Sequence, residues 1–232
     1  MSIYNEHSFG NSIFKGLNDK NGLMICGYEY GYSTKDENHQ TDELLSNRNN
    51  VVFTFANKVP FLGEYFWTIP YDNRIAKWFE LWGHPLDRVD LGGDFEKSIV
   101  QTNWSDSQNN NMGGKYDWLL NKESIGNFIE QVEFLKPSVI FFMGSKLIDF
   151  LNNPKVLPRF EKIVGNVIEN RKFVQKDSKG TRFKVHFQRF EQCQVVCFPH
   201  PSASRGLSLE YITQFKPEMD KLLQEYKQKR GF

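Results

Sequence analysis

Three side chains that could carry acid–base or hydrogen-bonding chemistry each stand just after a short apolar run: Glu29, Asn103 and His200. A carboxylate can stabilise developing positive charge and orient an attacking water molecule. A carboxamide offers both a donor and an acceptor, and a neutral imidazole still donates one N–H. Two prolines, Pro199 and Pro201, restrict the backbone on either side of the histidine. We therefore expect His200 to be a donor that is held in place before a ligand binds.

The apolar runs predict strands that are buried on both faces, because each run is continuous and bounded by glycine, proline or polar residues. They are GLMICG (22–27), KSIVQT (97–102), PSVIFFMG (137–144) and QVVCF (194–198). Helical patterns lie between and around them, at 73–83, 122–135, 145–151 and 207–226. This alternation predicts an α/β fold of three layers, α/β/α, with a central four-stranded, mostly parallel sheet.

The ends of the predicted strands are where a ligand is expected, since open α/β sheets bind ligands at the carboxyl ends of their strands. Glu29, Asn103 and His200 each follow a different strand, and the turn Gly144-Ser145 follows the remaining one. An acid, an amide, a glycine turn and a histidine should therefore converge on one edge of the sheet. This convergence is the main functional signal in the sequence.

Two segments interrupt the alternation of strands and helices. Residues 33–50 are polar and predict a loop, whereas residues 167–190 predict a β-hairpin insertion around a turn at 177–180. The hairpin carries a cluster of basic residues, including Lys179 and Arg182, that is either a solvated face or a contact for a polyanion. No repeat or linker divides the chain, so residues 1–232 are expected to form a single domain.

Composition and short motifs exclude several classes of protein. The net charge of +1 indicates no charged partner by itself. Three cysteines cannot supply a disulfide framework or a four-cysteine metal cluster. There is no P-loop, no Gly-x-Gly-x-x-Gly turn and no apolar run long enough for a membrane helix. Residues 1–10 lack the basic start and apolar core of a signal peptide, so we expect none. We expect a cytoplasmic protein that contacts no membrane.

The motifs at the strand ends resemble those of the uracil-DNA glycosylase superfamily. Members have a first strand ending in a Gly-x-Asp/Asn-Pro-Tyr/Gly turn, a second ending in Asn and a last ending in His-Pro-Ser. Here the corresponding segments are GYEYG (27–31), TNW (102–104) and HPSAS (200–204), in the same order. KPSVIFFMGSKLIDFL (136–151) is similar to the third strand and following helix of the superfamily. In element order the resemblance spans residues 20–225.

Departures from the superfamily pattern bear on the substrate. Tyr30 replaces the proline of the first turn, and Glu29 stands where other members have Asp or Asn. Gly31 replaces a tyrosine that, in the best-known members, crowds C5 of the base and excludes thymine. The resemblance therefore implies a pocket, with Tyr30 and Gly31 beside the base, that admits uracil or a 5-substituted pyrimidine. The iron–sulfur classes are excluded, because they need four cysteines.

The resemblance also implies roles in cleaving an N-glycosidic bond. Glu29 would stabilise the positive charge that develops on the sugar, and His200 would donate to O2 of the departing base. Asn103 would pair with the Watson–Crick edge of the flipped pyrimidine, although a strand-end turn is the alternative interpretation. Phe53 matches the position of a ring that stacks on the base, and packing in the core is the alternative for it.

DNA contacts are predicted near the last motif and on the hairpin. Ser202 would donate to a phosphate, or instead cap the next helix. Arg205 or Leu207 would fill the gap left by the flipped base. The hairpin residues Lys179 and Arg182 would contact phosphates.

Three functions fit these observations. The first is a monofunctional DNA glycosylase that acts on uracil or another pyrimidine. Lyase chemistry through a Schiff base is not indicated, because no lysine lies in the matched motifs. This function needs no metal and no nucleotide cofactor. The second is a defence enzyme that excises a modified phage pyrimidine, such as hydroxymethylated or glucosylated cytosine. The third is a non-catalytic nucleic-acid-binding module that keeps the fold. DNA is the expected partner, and we expect a monomer.

Overall fold

The computed structural model of the chain describes residues 20–31, 51–109, 116–177 and 182–232. The predicted loop at 33–50 and the predicted DNA contact Lys179 lie outside these residues. The backbone of Tyr30 and Gly31 is described, and their side chains are not.

A six-stranded mixed sheet forms the centre of the fold, in the order β3-β1-β5-β8-β7-β6. Its parallel strands are β1 (Leu23–Gly27), β3 (Ile99–Asn103), β5 (Val139–Met143) and β8 (Gln194–Phe198). Its antiparallel strands are β6 (Val167–Val174) and β7 (Val185–Phe190). Two short strands, β2 (Tyr30–Gly31) and β4 (Gln108–Asn109), pair separately from this sheet.

The predicted sheet of four strands is therefore too small, because the hairpin is part of the sheet instead of a separate insertion. Only residues 191–193 connect β7 to β8, and so short a connection permits antiparallel pairing alone. His186 of β7 accordingly pairs with Cys197 of β8. This pairing brings the start of β7, at Val185, to the edge of the sheet where the parallel strands end.

Helices lie on both faces of this sheet. They are α1 (Val59–Leu62), α2 (Pro70–Leu81), α3 (Asp94–Lys97), α4 (Lys122–Leu135), α5 (Leu147–Leu151), α6 (Leu157–Val164), α7 (Leu209–Thr213) and α8 (Lys216–Arg230). Two 3-10 helices, Gly63–Thr68 and Asp117–Leu120, complete the described elements. None of the described helices is both long and apolar enough to cross a membrane.

Two hydrophobic cores hold the layers together. Side chains alternate between the faces of a strand, so Leu23 and Ile25 of β1 enter one core, whereas Met24 and Cys26 enter the other. The first core includes residues of α2, α3, α7 and α8, and the second includes residues of α4, α5 and α6. The predicted α/β architecture, with helices on both sides of a sheet, is confirmed.

Helix boundaries follow local chemistry. The helix predicted at 122–135 is confirmed as α4; Asn121 caps it by accepting a hydrogen bond from the Ser124 N–H at 2.7 Å. The helix predicted at 207–226 is wrong in its continuity, since α7 ends at Thr213 and α8 begins at Lys216. Pro217 explains the break, because a proline ring clashes with the carbonyl four residues earlier in a continuous helix.

Candidate functional site

Glu29 and Asn103 are neighbours because β1 and β3 are adjacent parallel strands. Gly27 and Asn103 are partners in the strand register, and the ladder continues beyond them. Trp104 donates its N–H to the Gly27 carbonyl at 2.9 Å, and Ser105 donates to the Tyr28 carbonyl at 3.0 Å. A Cβ atom at Gly27 would overlap the Asn103 carboxamide, so only glycine allows this close approach.

The Glu29 carboxylate is half-buried and held by a neighbouring loop. The Ser107 hydroxyl donates to Oε2 of Glu29 at 2.9 Å. The backbone carbonyl of Glu29 faces the Asn103 side chain, whose nitrogen can donate to it at 3.3 Å. The acid and the amide predicted from the sequence therefore lie side by side at one end of the sheet.

The Asn103 carboxamide fits this surrounding in one orientation. With its nitrogen directed inwards, it donates to the backbone carbonyls of Thr102 at 3.2 Å and Glu29 at 3.3 Å. The opposite orientation would set the amide oxygen against those two acceptors, so we assign the first.

Helix α4 fixes the turn that carries Asn103. Gln131 donates to the Asn103 carbonyl at 3.0 Å, and Asn127 donates to the Asn103 and Trp104 carbonyls at 3.3 and 2.8 Å. Ser124, one turn earlier, contacts Ser105. All three helix residues are buried on the face that packs against the sheet. Buried polar side chains must find partners; here Asn127 and Gln131 find them in backbone carbonyls of this turn, and Ser124 finds its partner in the Ser105 hydroxyl.

His200 is held as a neutral imidazole with its Nε2 protonated. Its Nδ1 accepts hydrogen bonds from the backbone N–H groups of Ser202 at 3.3 Å and Ala203 at 3.1 Å. A nitrogen that accepts cannot carry a proton, so the proton of the neutral ring lies on Nε2. Burial lowers the pKa of His200 from 6.5 to about 4, which keeps the ring neutral near pH 7.

Two tyrosines flank the His200 ring. The Tyr28 ring lies parallel to it with a centroid distance of 6.3 Å, and the Tyr71 ring is tilted against it at 5.3 Å. The Tyr28 hydroxyl accepts a hydrogen bond from the Lys146 N–H at 3.0 Å, and its ring covers Gly144 so closely that a Cβ atom there would overlap it. The predicted glycine turn after β5 thus makes room for Tyr28.

Arg74 of α2 braces the loop that follows His200. Its guanidinium donates to the carbonyls of Pro201 at 2.6 Å and Leu207 at 2.9 Å. Leu207 is only 4% exposed and belongs to the first core, so it cannot fill a gap in DNA. Arg205 is exposed and remains the candidate for that role.

Ser202 does not cap a helix. The segment after it forms turns, and α7 begins at Leu209 with Ser208 as its cap, whose hydroxyl accepts from the Tyr211 N–H at 3.1 Å. Ser202 is exposed beside His200, and its hydroxyl lies 3.4 Å from Nδ1 of that ring. A helix N-terminus therefore does not assist the phosphate contact predicted for Ser202.

Phe53 lies in the interior. It is completely buried, and its ring stacks on that of Phe61 with a centroid distance of 5.1 Å. One face of the ring is thus occupied by protein, which fits the alternative role of packing in the core.

Most described cations of the hairpin are neutralised within the chain. Arg171 pairs with Asp149, Lys176 pairs with Glu218, and both Lys172 and Arg189 pair with Glu169. Arg182 is exposed and has no ion pair with another described residue, while Lys184 lies over the Phe173 ring at 4.1 Å. Among the described cations of the hairpin, Arg182 and Lys184 are therefore the ones left available for a polyanion, next to the start of β7 on the edge of the sheet that carries His200.

Several residues of this site were not predicted from the sequence: Tyr28, Tyr71, Arg74, Ser107, Asn127 and Gln131. A readable signal existed for Asn127 and Gln131, which with Ser124 form a polar stripe on the otherwise apolar face of α4. Among the described residues, no group of three or more histidine, cysteine or acidic side chains could hold a metal ion. Comparison of the sequence with protein-family models and with curated proteins gives no match.

Proposed function

We propose that the protein is a monofunctional DNA glycosylase that hydrolyses the N-glycosidic bond of a flipped pyrimidine and leaves an abasic site. The observation that carries this proposal is the tautomer of His200. Backbone N–H groups occupy Nδ1 of the ring, so the remaining polar group is a fixed Nε2–H donor. The donor follows β8, at the same sheet edge as Glu29 and Asn103: β1, which leads to Glu29, is two strand spacings or about 10 Å from β8, and β3, which carries Asn103, is three spacings or about 14 Å away.

His200 would act on the departing base. When the bond between C1′ and N1 breaks, its electron pair moves onto the pyrimidine ring and its O2 atom. A donor already in place stabilises this anion without reorganising, which is the main advantage of such a group over bulk water. A neutral imidazole suits the task, because the proton on Nε2 is shared with the base and need not be transferred.

Glu29 would act on the sugar. Its carboxylate stabilises the positive charge of the oxocarbenium-like transition state and takes a proton from the attacking water, whose oxygen forms the new bond to C1′. The hydrogen bond from Ser107 holds the carboxylate in one orientation. Because the chain needs only water as the nucleophile, the expected products are the free base and an intact strand with an abasic site.

Asn103 would recognise the Watson–Crick edge of the base, and Gly31 would leave room at C5. The substrate class is therefore uracil or a 5-substituted pyrimidine. An enzyme that excises a modified base from phage DNA, as a defence factor, is a narrower form of the same proposal. Arg182 at the hairpin tip, with Ser202 and Arg205 beside the histidine, would contact the DNA.

Abasic-site formation tests this proposal. The protein is incubated with duplex and single-stranded DNA that carries one uracil, 5-hydroxymethyluracil or 5-hydroxymethylcytosine, and abasic sites are counted. Glu29→Gln is expected to lower excision at least about 100-fold while it changes DNA affinity little, because the charge acts mainly in the transition state. Glu64→Gln, which alters an exposed acid, is the matched control and should leave both quantities unchanged.

Two results would contradict the proposal. Tight DNA binding without excision of any of these bases would favour a non-catalytic nucleic-acid-binding module. Equal losses of affinity and turnover in Glu29→Gln would mean that the carboxylate supports the structure and takes no part in the reaction.

A further inference from the structure

Lys58 is a buried cation beside the candidate site, with a side chain that is only 1% exposed. Its ammonium donates to Oδ2 of Asp72 at 2.9 Å and to Oε1 of Gln101 at 2.5 Å. The rings of Phe55 and Phe66 have their centroids 5.2 and 5.8 Å from the same ammonium. Burying a charge is costly, and even a well-made buried ion pair adds little net stability. The stronger consequence of this contact is geometric, because it joins two segments that both belong to the site.

Gln101 belongs to the strand that carries Asn103. The two residues are two positions apart on β3, so their side chains lie on the same face of the sheet. The Asn103 carboxamide borders Gly27, and Glu29 follows in the turn after β1. One end of the contact is thus attached to the acid–amide half of the site, which is Glu29 with Asn103.

Asp72 belongs to the helix that holds His200. It lies in the first turn of α2, directly after Tyr71, whose ring packs against the His200 ring at a centroid distance of 5.3 Å. Arg74, two residues further on, donates to two carbonyls of the loop after His200. The other end of the contact is thus attached to the half of the site that holds the donor.

We propose that Lys58 is a positioning residue, which fixes the His200 donor relative to the acid–amide half of the site. This inference rests on the proposed function. The two halves stand on strands that are not neighbours, because β5 lies between β1 and β8. A base and its sugar must meet both halves in one transition state, and a displacement of about 1 Å can cost about 100-fold in rate. Helix α2 contacts the loop after His200 directly and β3 through Lys58, so the ion pair holds the two halves in register.

A matched pair of substitutions at Gln101 tests the proposal. Removing Lys58 itself would leave the Asp72 carboxylate buried without its cation, which destabilises the fold. Gln101→Met keeps the ion pair and nearly the same shape but loses the acceptor on β3, whereas Gln101→Glu keeps an acceptor oxygen in either protonation state. We expect Gln101→Met to lower kcat for excision at least about tenfold and to change KM by less than about twofold. Gln101→Glu should stay within about threefold of wild type in both quantities.

The leaving base distinguishes a displaced donor from a general loss of folded protein. 5-Fluorouracil leaves more easily than uracil, because fluorine stabilises the negative charge on the ring, so its departure depends less on His200. The factor by which Gln101→Met slows excision should therefore be at least about three times smaller for 5-fluorouracil than for uracil. Equal factors for the two bases would overturn the proposal. Wild-type rates in Gln101→Met, or equal losses in Gln101→Met and Gln101→Glu, would do the same.

Amide hydrogen exchange tests the link without DNA and separates it from the proposed function. The backbone N–H groups of Ser202 and Ala203 donate to His200 in the loop that α2 braces. We expect Gln101→Met to speed exchange of these two amides at least about fivefold, and Gln101→Glu to change it by less than about twofold. Wild-type exchange in Gln101→Met would overturn the role of Lys58, whether or not a base is excised. Faster exchange in a protein that excises no base would support the link and remove only the proposed function.

Discussion

The titration of His200 provides a test of the site that needs no DNA. Its pKa is lowered from 6.5 to about 4, so the folded chain binds fewer protons than the unfolded chain in this interval. Stability should be intact above about pH 6.5 and should fall as the pH is lowered towards 4. The cost follows from the two pKa values and reaches about 2 kcal/mol at pH 5 and about 3 kcal/mol at pH 4.

The perturbation is His200→Asn, which removes the titrating group. The asparagine oxygen can take the place of Nδ1 as the acceptor for the N–H groups of Ser202 and Ala203. His186 also has its pKa lowered, to about 4, but it is present in both proteins and cancels in their difference. The free energy of unfolding of the variant, relative to wild type, should therefore rise by about 2 kcal/mol between pH 7 and pH 5.

Urea unfolding of both proteins at pH 5, 6 and 7 provides the measurement. A difference that stays constant within about 0.5 kcal/mol over this range would refute the reasoning. It would mean that His200 is solvated enough to titrate normally, and the argument for a fixed neutral donor would fail with it.

Two further predictions concern the surroundings of His200. The double variant Arg182→Ala with Lys184→Ala should flatten the slope of log DNA affinity against log salt concentration by roughly 1 to 2 and should leave base preference unchanged. The control double variant, Lys172→Ala with Arg189→Ala, removes cations that pair with Glu169 and should change the slope less. Equal changes in the two double variants would mean that Arg182 and Lys184 do not contact the DNA. Arg74→Met should lower the free energy of unfolding by about 2 kcal/mol, because two charge-assisted hydrogen bonds to the loop after His200 are lost. The same variant should lower the rate of excision by a larger factor than it lowers DNA affinity. The control Lys77→Met, on the same helix, should lower the free energy of unfolding by less than about 0.5 kcal/mol. Similar losses of stability in Arg74→Met and Lys77→Met would show that the Arg74 hydrogen bonds contribute little.

The parallel strands could be predicted because each is a continuous apolar run with a clear end. Their ends placed Glu29, Asn103 and His200 on one edge, since strand direction follows from the alternation with helices. The pairing of β7 with β8 was missed although its signal, a connection of three residues, is visible in the sequence. The alternating pattern of residues 167–190 predicts the hairpin itself and does not show which strand lies beside it.

The side chains that complete the site could not be derived from strand ends. Tyr71 and Arg74 lie on α2, and they reach the loop after His200 only because that helix packs across the sheet near α7. The direction of the Asn103 amide depends on two carbonyls, that of Thr102 within β3 and that of Glu29 in the turn after β1. Sequence patterns predict which elements meet, whereas hydrogen-bond directions follow from the geometry of turns.

The most direct test of the central claim is mass spectrometry of the reaction products. DNA with a single 5-hydroxymethylcytosine, 5-hydroxymethyluracil or uracil is treated with excess protein. We predict release of one free base per abasic site and a strand that stays intact, with the mass of the substrate strand minus the base plus one water molecule. Release of no base from any of these DNAs, or strand cleavage in place of an intact abasic strand, would contradict hydrolysis of the N-glycosidic bond by this site.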